Sequence, residues 1–168
     1  MSQDINHPDY IDQDGATHIN VYSRGATDLG KALSNFTRAP FVHPEFGQFA
    51  SVEGFWYWLS AGHGEDREEL RHRWGASAKA TGSEIPSIPL DEEYFHNQIK
   101  VAIRCKIEQN PEIREMFINS SLPFDHYFVG YERELDRPKW RRWIMRKKKH
   151  RWQMEFLELL RKELQSQS

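Results

Sequence analysis

The stretch Phe49-Ala50-Ser51-Val52-Glu53-Gly54-Phe55-Trp56-Tyr57-Trp58-Leu59 constrains the fold more than any other part of the chain. Val52, Phe55, Trp56 and Leu59 fall at i, i+3, i+4 and i+7, the spacing that aligns side chains on one face of an α-helix. So much apolar area on one face must be buried, and the rest of the chain has to supply the surface that buries it. Ser51 is a good N-cap for this helix. Glu53 sits one residue round from Val52, on the flank of Trp56 and Tyr57, at the rim of the aromatic surface. A carboxylate there is either a device of the first helical turn, worth roughly 0.3 to 1 kcal/mol against the helix dipole, or a chemical group.

A chain of 168 residues and 20.0 kDa is long enough for one domain with a real hydrophobic core. That domain is expected over residues 18–168. Residues 1–17 are polar and carry Asp4, Asp12 and Asp14, offering little to bury, so they are expected to be disordered. They lack the basic start and apolar run of a secretory signal, and no later segment approaches the roughly 18 apolar residues of a membrane span. The single cysteine, Cys105, gives neither a disulfide framework nor a zinc-ligand spacing, and no residue set demands a metal. A soluble protein in a reducing, cytoplasmic setting, without membrane contact, is the expectation.

Along the chain, His18 to Ser23 suggests a short strand, and Gly30 to Phe49 is too rich in proline and glycine for a long helix, which places Leu33 to Phe36 in a structured loop. After the aromatic helix, Asp66 can cap a short helix through Glu68, Leu70 and Trp74. The segment from Gly82 to Pro89 reads as a connector. Asp91 then starts a longer helix with Phe95, Ile99, Ala102, Ile103 and Ile107 as its buried stripe, broken at Asn110-Pro111. Residues His126 to Tyr131 form a second strand candidate. The closing helix repeats Trp152, Phe156, Leu159 and Leu160 at helical spacing.

Chemically, breaking a bond between ribose and a nitrogen base passes through an oxocarbenium-like sugar, which a carboxylate can stabilise or supply with activated water. Glu53 is the candidate. Phe55, Trp56 and Tyr57 beside it would exclude water, offer faces for stacking a base and raise the carboxyl pKa. Asn35 carries both a donor and an acceptor and suits ribose hydroxyls, or else it simply forms a turn with Ser34. Arg24 and Lys31 flank that loop and suit a phosphate-bearing substrate, or stand as solvated charges. Tyr22 is a core residue or a stacking platform.

Leu33-Ser34-Asn35-Phe36, then Pro40-Phe41, then Phe49-x-Ser51-Val52-Glu53 and its aromatics form an ordered series, continued by Ala78-Lys79-Ala80-Thr81-Gly82 and by Lys106-Ile107-Glu108-Gln109-Asn110-Pro111. Over about residues 18 to 121 this series resembles the NADAR family (NAD- and ADP-ribose-related, also called YbiA-like). The resemblance implies a mostly helical α+β fold with a small β-sheet and a cofactor-free N-glycosidase in which Glu53 is the catalytic glutamate. It also implies substrate contact through Ser34, Asn35 and Phe36. The chain departs from the family where many members have H-x-x-Q-x-Q-K after the glutamate and this one has Gly54, Tyr57, Leu59 and Ser60. For the family's later D-x-x-W-G segment, Asp125 or Asp136 stands as the replacement aspartate, with Asp136 and Trp140 the closer echo, at a different spacing.

Lys139 to Trp152 packs three of the six tryptophans among eight lysines and arginines, a concentrated positive patch in a chain of formal charge -2. It would bind nucleic acid through Lys139 to Arg151, or form an amphipathic helix with Trp140, Trp143 and Ile144 facing the core. Among the activities that the resemblance to the NADAR family implies, removal of ADP-ribose from guanine in nucleic acid fits this segment best. The alternatives are cleavage of free phosphoribosyl-aminopyrimidines, as in riboflavin synthesis, and a binding module for ADP-ribose or nucleic acid without turnover.

Overall fold

A computed structural model of the chain describes residues 4–133 and 140–168. Their regular elements are, in order, β1 (Ile19–Asn20), α1 (Asp28–Leu33), β2 (Phe41–His43), β3 (Gly47–Phe49), α2 (Val52–Ala61), α3 (Gly75–Glu84), α4 (Glu92–Gln109), α5 (Pro111–Ile118), β4 (Phe124–Asp125), β5 (Phe128–Arg133), β6 (Trp140–Met145) and α6 (Arg151–Ser166), with 3-10 turns at Pro8–Gln13, Glu65–His72 and Lys148–His150. The class is α+β and mostly helical, as expected. Among the described residues the strands form three two-stranded ladders: β1 parallel to β4, β2 antiparallel to β3 and β5 antiparallel to β6. Two compact units emerge, residues 32–119 and residues 1–31 together with 120–168.

In the unit of residues 32–119, α2 is the centre. Ser51 caps it as expected, its Oγ accepting from the Gly54 N–H at 3.0 Å while donating to the Arg73 carbonyl at 2.8 Å. Val52, Phe55, Trp58 and Leu59 are buried, and Phe55 sits in an aromatic cluster with Phe41, Phe49 and Trp58. The buried face therefore runs through Trp58, and Trp56 lies half-buried on the flank, edge-on to Phe95 at 4.8 Å. Two close approaches hold the neighbouring segments against α2. A Cβ on Gly54 would lie 2.4 Å from the Leu70 carbonyl oxygen, and one on Gly82 would lie 2.2 Å from the Tyr57 ring. Asp91 caps α4 through the Tyr94 N–H, and Ile99, Ala102, Ile103 and Ile107 are its buried stripe. Helix α3 takes in the Ala78–Gly82 motif and the first residues of the segment from Gly82 to Pro89 that reads as a connector.

In the other unit the N-terminal segment departs from expectation. Residues 8–13 form a 3-10 turn whose Tyr10 is buried, stacked 3.9 Å from His18, and donates to Asp125 at 2.9 Å. Asp12 receives both terminal nitrogens of Arg142. Composition does not show this because single contacts, the buried Tyr10 and the Asp12 carboxylate paired with Arg142, anchor an otherwise polar stretch.

The basic segment is not an amphipathic helix. Residues 140–145 are strand β6, paired with β5, and helix begins only at Arg151. Trp143 is partly exposed and covers Gly130 opposite it, where a Cβ would meet the indole at 2.0 Å. In α6 the buried stripe is Leu157, Leu160 and Leu164, while Leu159, expected inside, is 66% exposed. No helix among the described residues is long and apolar enough to cross a membrane.

Candidate functional site

The loop after α1 meets the start of α2 through one backbone bond, the Glu53 N–H donating to the Asn35 carbonyl at 2.9 Å. Ser51 already caps the helix, so the Glu53 side chain is not needed for that task. Its carboxylate accepts no hydrogen bond and forms no ion pair among the described residues. Burial pushes its pKa up to about 7, and the nearby Lys79 ammonium on α3 opposes that rise. A carboxyl group poised near neutrality, with a cation beside it and no donor fixing it as an anion, is suited to moving protons.

The loop itself is held from α4. Lys106, fully buried, donates from Nζ to the Ser34 carbonyl at 2.8 Å, and burial pushes its ammonium pKa down to about 7. Gln109 exchanges two bonds with the backbone of Val42, at 2.7 and 2.9 Å, and Asn110 donates to the Pro40 carbonyl at 3.0 Å. The Lys106-x-x-Gln109-Asn110-Pro111 sequence is thus a clamp on the backbone of residues 34–42. Its targets are carbonyls and an N–H, which carry no side-chain signature, so sequence shows the motif without its purpose.

Several expected site residues take other roles. Phe55 is a correction: it is wholly buried in the aromatic cluster and forms no rim. The helical period that brings it into line with Val52 and Leu59 turns it away from the surface. Ser34 is buried, and its Oγ accepts from the Phe36 N–H at 3.3 Å, so it builds the turn. Asn35 and Phe36 are half-buried in that turn, and Trp56 and Tyr57 are half-buried residues of α2.

Tyr22, Arg24 and Lys31 belong to the other unit, where Tyr22 is half-buried edge-on to Phe128 and Arg24 and Lys31 are exposed. Asp136 and Lys139 lie outside the described residues, and Trp140 is placed as the first residue of β6. No group of three or more metal-ligating side chains occurs among the described residues. In the sequence Lys79 and Lys106 stand as letters of their motifs, with nothing to place either in the site. The signal for Lys106 was its position on the apolar stripe of α4, one residue before Ile107.

No family model matches the chain, and no curated protein matches it. Among solved structures it is similar to the NMR structure of the E. coli protein YbiA, with a TM-score of 0.50 and 22% identity over 66% of this chain and 67% of that one. At that identity the likeness shows the fold, which is YbiA-like.

Proposed function

We propose, from the YbiA-like fold and the state of Glu53, that the protein is a cofactor-free N-glycosidase of the NADAR type that removes ADP-ribose from guanine in nucleic acid. The observation that carries this reading is the part-buried Glu53 carboxyl, raised to about pH 7 and without a hydrogen-bond donor among the described residues. In the reaction the bond between the ribose anomeric carbon and the base nitrogen breaks, and its electron pair leaves with the base. Glu53 in its protonated form gives the departing nitrogen its proton. As a carboxylate it then stabilises the sugar cation and takes a proton from the water that attacks, which restores the starting state. Lys79 keeps a fraction of Glu53 ionised, and Asn35 and Phe36 border the sugar. Trp56 and Tyr57 limit access of bulk water.

Nucleic acid as the carrier of the modified base is supported by the exposed cations Arg141, Lys147, Lys148, Lys149 and Arg151, with Trp143 between them. Arg142 and Arg146 do not contribute equally, being paired with Asp12 and Asp125. The binding-module alternative draws on a specific observation: positions 54 and 57 are committed to packing against Leu70 and Gly82, so the polar wall of the family's pattern is absent there.

The test is release of ADP-ribose from DNA carrying ADP-ribosylated guanine, with Glu53→Gln as the comparison. Release that disappears in a folded Glu53→Gln protein is the expected result. Full activity in that variant rejects Glu53, and ligand binding without release by the natural protein favours the binding module. Activity that falls steeply with salt identifies nucleic acid as substrate, whereas a salt-insensitive reaction points to a free phosphoribosyl-aminopyrimidine.

A further inference from the structure

A cleft of about 340 Å³, lined by Arg38, Pro40, Gln48, Arg71 and Trp74 among others, opens within the unit of residues 32–119. Its volume is at the lower end of the range for small-ligand sites. Three features give it a definite chemistry. Trp74 leaves 47% of its surface exposed, whereas Phe41, Phe49, Phe55 and Trp58 of the same unit are buried. The Arg38 guanidinium stands over that indole, 5.4 Å from the ring centroid, and makes no hydrogen bond or ion pair among the described residues. Arg71 spends Nε on Glu68 and Nη1 on the carbonyls of Phe46 and Gln48, which leaves Nη2 without a protein partner among the described residues. None of the residues lining the cleft is acidic.

A flat indole beside the Arg38 guanidinium, in a cleft also lined by Arg71, which lies over Phe49 and Trp58, and by an exposed glutamine amide, matches a planar base that carries a phosphate. The base stacks on the ring, the phosphate meets the arginines and the amide reads the base edge. The cleft also borders the candidate site. Trp74 is the N-cap of α3, and Lys79 beside Glu53 is on the same helix, about 7 to 8 Å further along at 1.5 Å per residue. The Phe36 carbonyl oxygen lies 3.7 Å from where a Cβ of Gly75 would be, so the Ser34–Phe36 loop adjoins the same helix start.

We infer that this cleft binds one nucleotide unit, with its base on Trp74 and its phosphate against Arg38 and Arg71. The inference rests on the proposed function only for what the nucleotide belongs to. Its binding is measured without turnover, so failure of the glycosidase reading would show as absent release while nucleotide binding stood.

The experiment is calorimetric titration of the full chain with AMP, with adenosine and with oligothymidylate, repeated on Trp74→Ala and on Arg38→Gln. AMP binds the natural protein and adenosine binds it at least about tenfold more weakly, because the phosphate contacts are lost. Each variant weakens AMP about tenfold, in keeping with the loss of one stacking or one charge-assisted contact. Oligothymidylate that displaces AMP identifies the occupant as a neighbouring nucleotide of the strand. If it does not compete, the occupant is the adenosine end of the ADP-ribosyl group. AMP affinity unchanged in both variants, or no binding of AMP at millimolar concentration, overturns the inference. Arg38→Gln changes an exposed side chain, so it remains decisive should Trp74→Ala fold poorly.

Discussion

Glu53 and Asp125 are part-buried carboxylates, one in each unit, and their surroundings are opposite. Burial raises the Asp125 pKa too, but hydrogen bonds from Arg146 and Tyr10, the Arg146 charge and the His126 N–H outweigh it and hold the carboxyl below the usual range. Arg146 in turn lies over the Tyr10 and Tyr127 rings, so the whole group is mutually satisfied. Around Glu53 nothing comparable offsets desolvation except the charge of Lys79. A satisfied carboxylate ties segments together and contributes to stability, whereas an uncompensated one costs stability and is retained for some other reason. That contrast supports the reading of Glu53 as the chemical group more strongly than its place in a motif does.

The largest effect that would sharpen the contrast is on rate. Glu53→Gln lowers ADP-ribose release about 10²- to 10⁴-fold in a single-turnover assay, the usual worth of a general acid-base group, whereas Asp125→Asn leaves the chemistry of the step intact.

Stability moves the other way for the two residues, and unfolding in denaturant across pH reads the sign. Because the folded-state pKa of Glu53 is raised, its favourable contribution is complete below about pH 4.5, its ordinary value, and is lost as pH rises through about 7. Glu53→Gln is therefore more stable than the natural protein at pH 8, by up to about 3 kcal/mol, with the difference vanishing towards pH 4.5. Should Glu53→Gln instead be the less stable protein at pH 8, Glu53 would be a structural carboxylate like Asp125.

Asp125 has a lowered folded-state pKa, so its contribution is present above its ordinary value and is lost as pH falls through the lowered one. Asp125→Asn costs about 2 kcal/mol at pH 7, leaving Arg146 without its counter-charge, and the deficit shrinks in acid. The smallest effect concerns Lys79. Removing its charge in Lys79→Met raises the midpoint of the pH-rate profile by about 0.5 unit, as expected for one exposed cation near a carboxyl group.

How much of this is readable in advance depends on what kind of partner each residue has. Val52, Phe55 and Leu59 were legible as a buried face because their partner is apolar volume, and period alone predicts that. Trp56 against Trp58 was not, since four consecutive large rings fit two helical faces and only packing against Phe49 and Phe46 selects Trp58. The Lys139–Arg151 segment misled for a related reason. Its charges alternate too irregularly to show a strand period, and two of its arginines are matched by Asp12 and Asp125, remote in sequence. Glu53 was legible as a candidate, but its lack of donors was not, because an absence of neighbours has no letter in a sequence. Arg38 and Trp74 are likewise separate in the chain and meet only in the fold.

The contact at Gly54 has a consequence for engineering. With the Leu70 carbonyl oxygen 2.4 Å from the position a side chain would occupy, a histidine cannot be grafted after Glu53 by a single substitution. The path of residues 65–74 and the identity of residue 54 form one inheritable module. A designer who wants a histidine there must import both together.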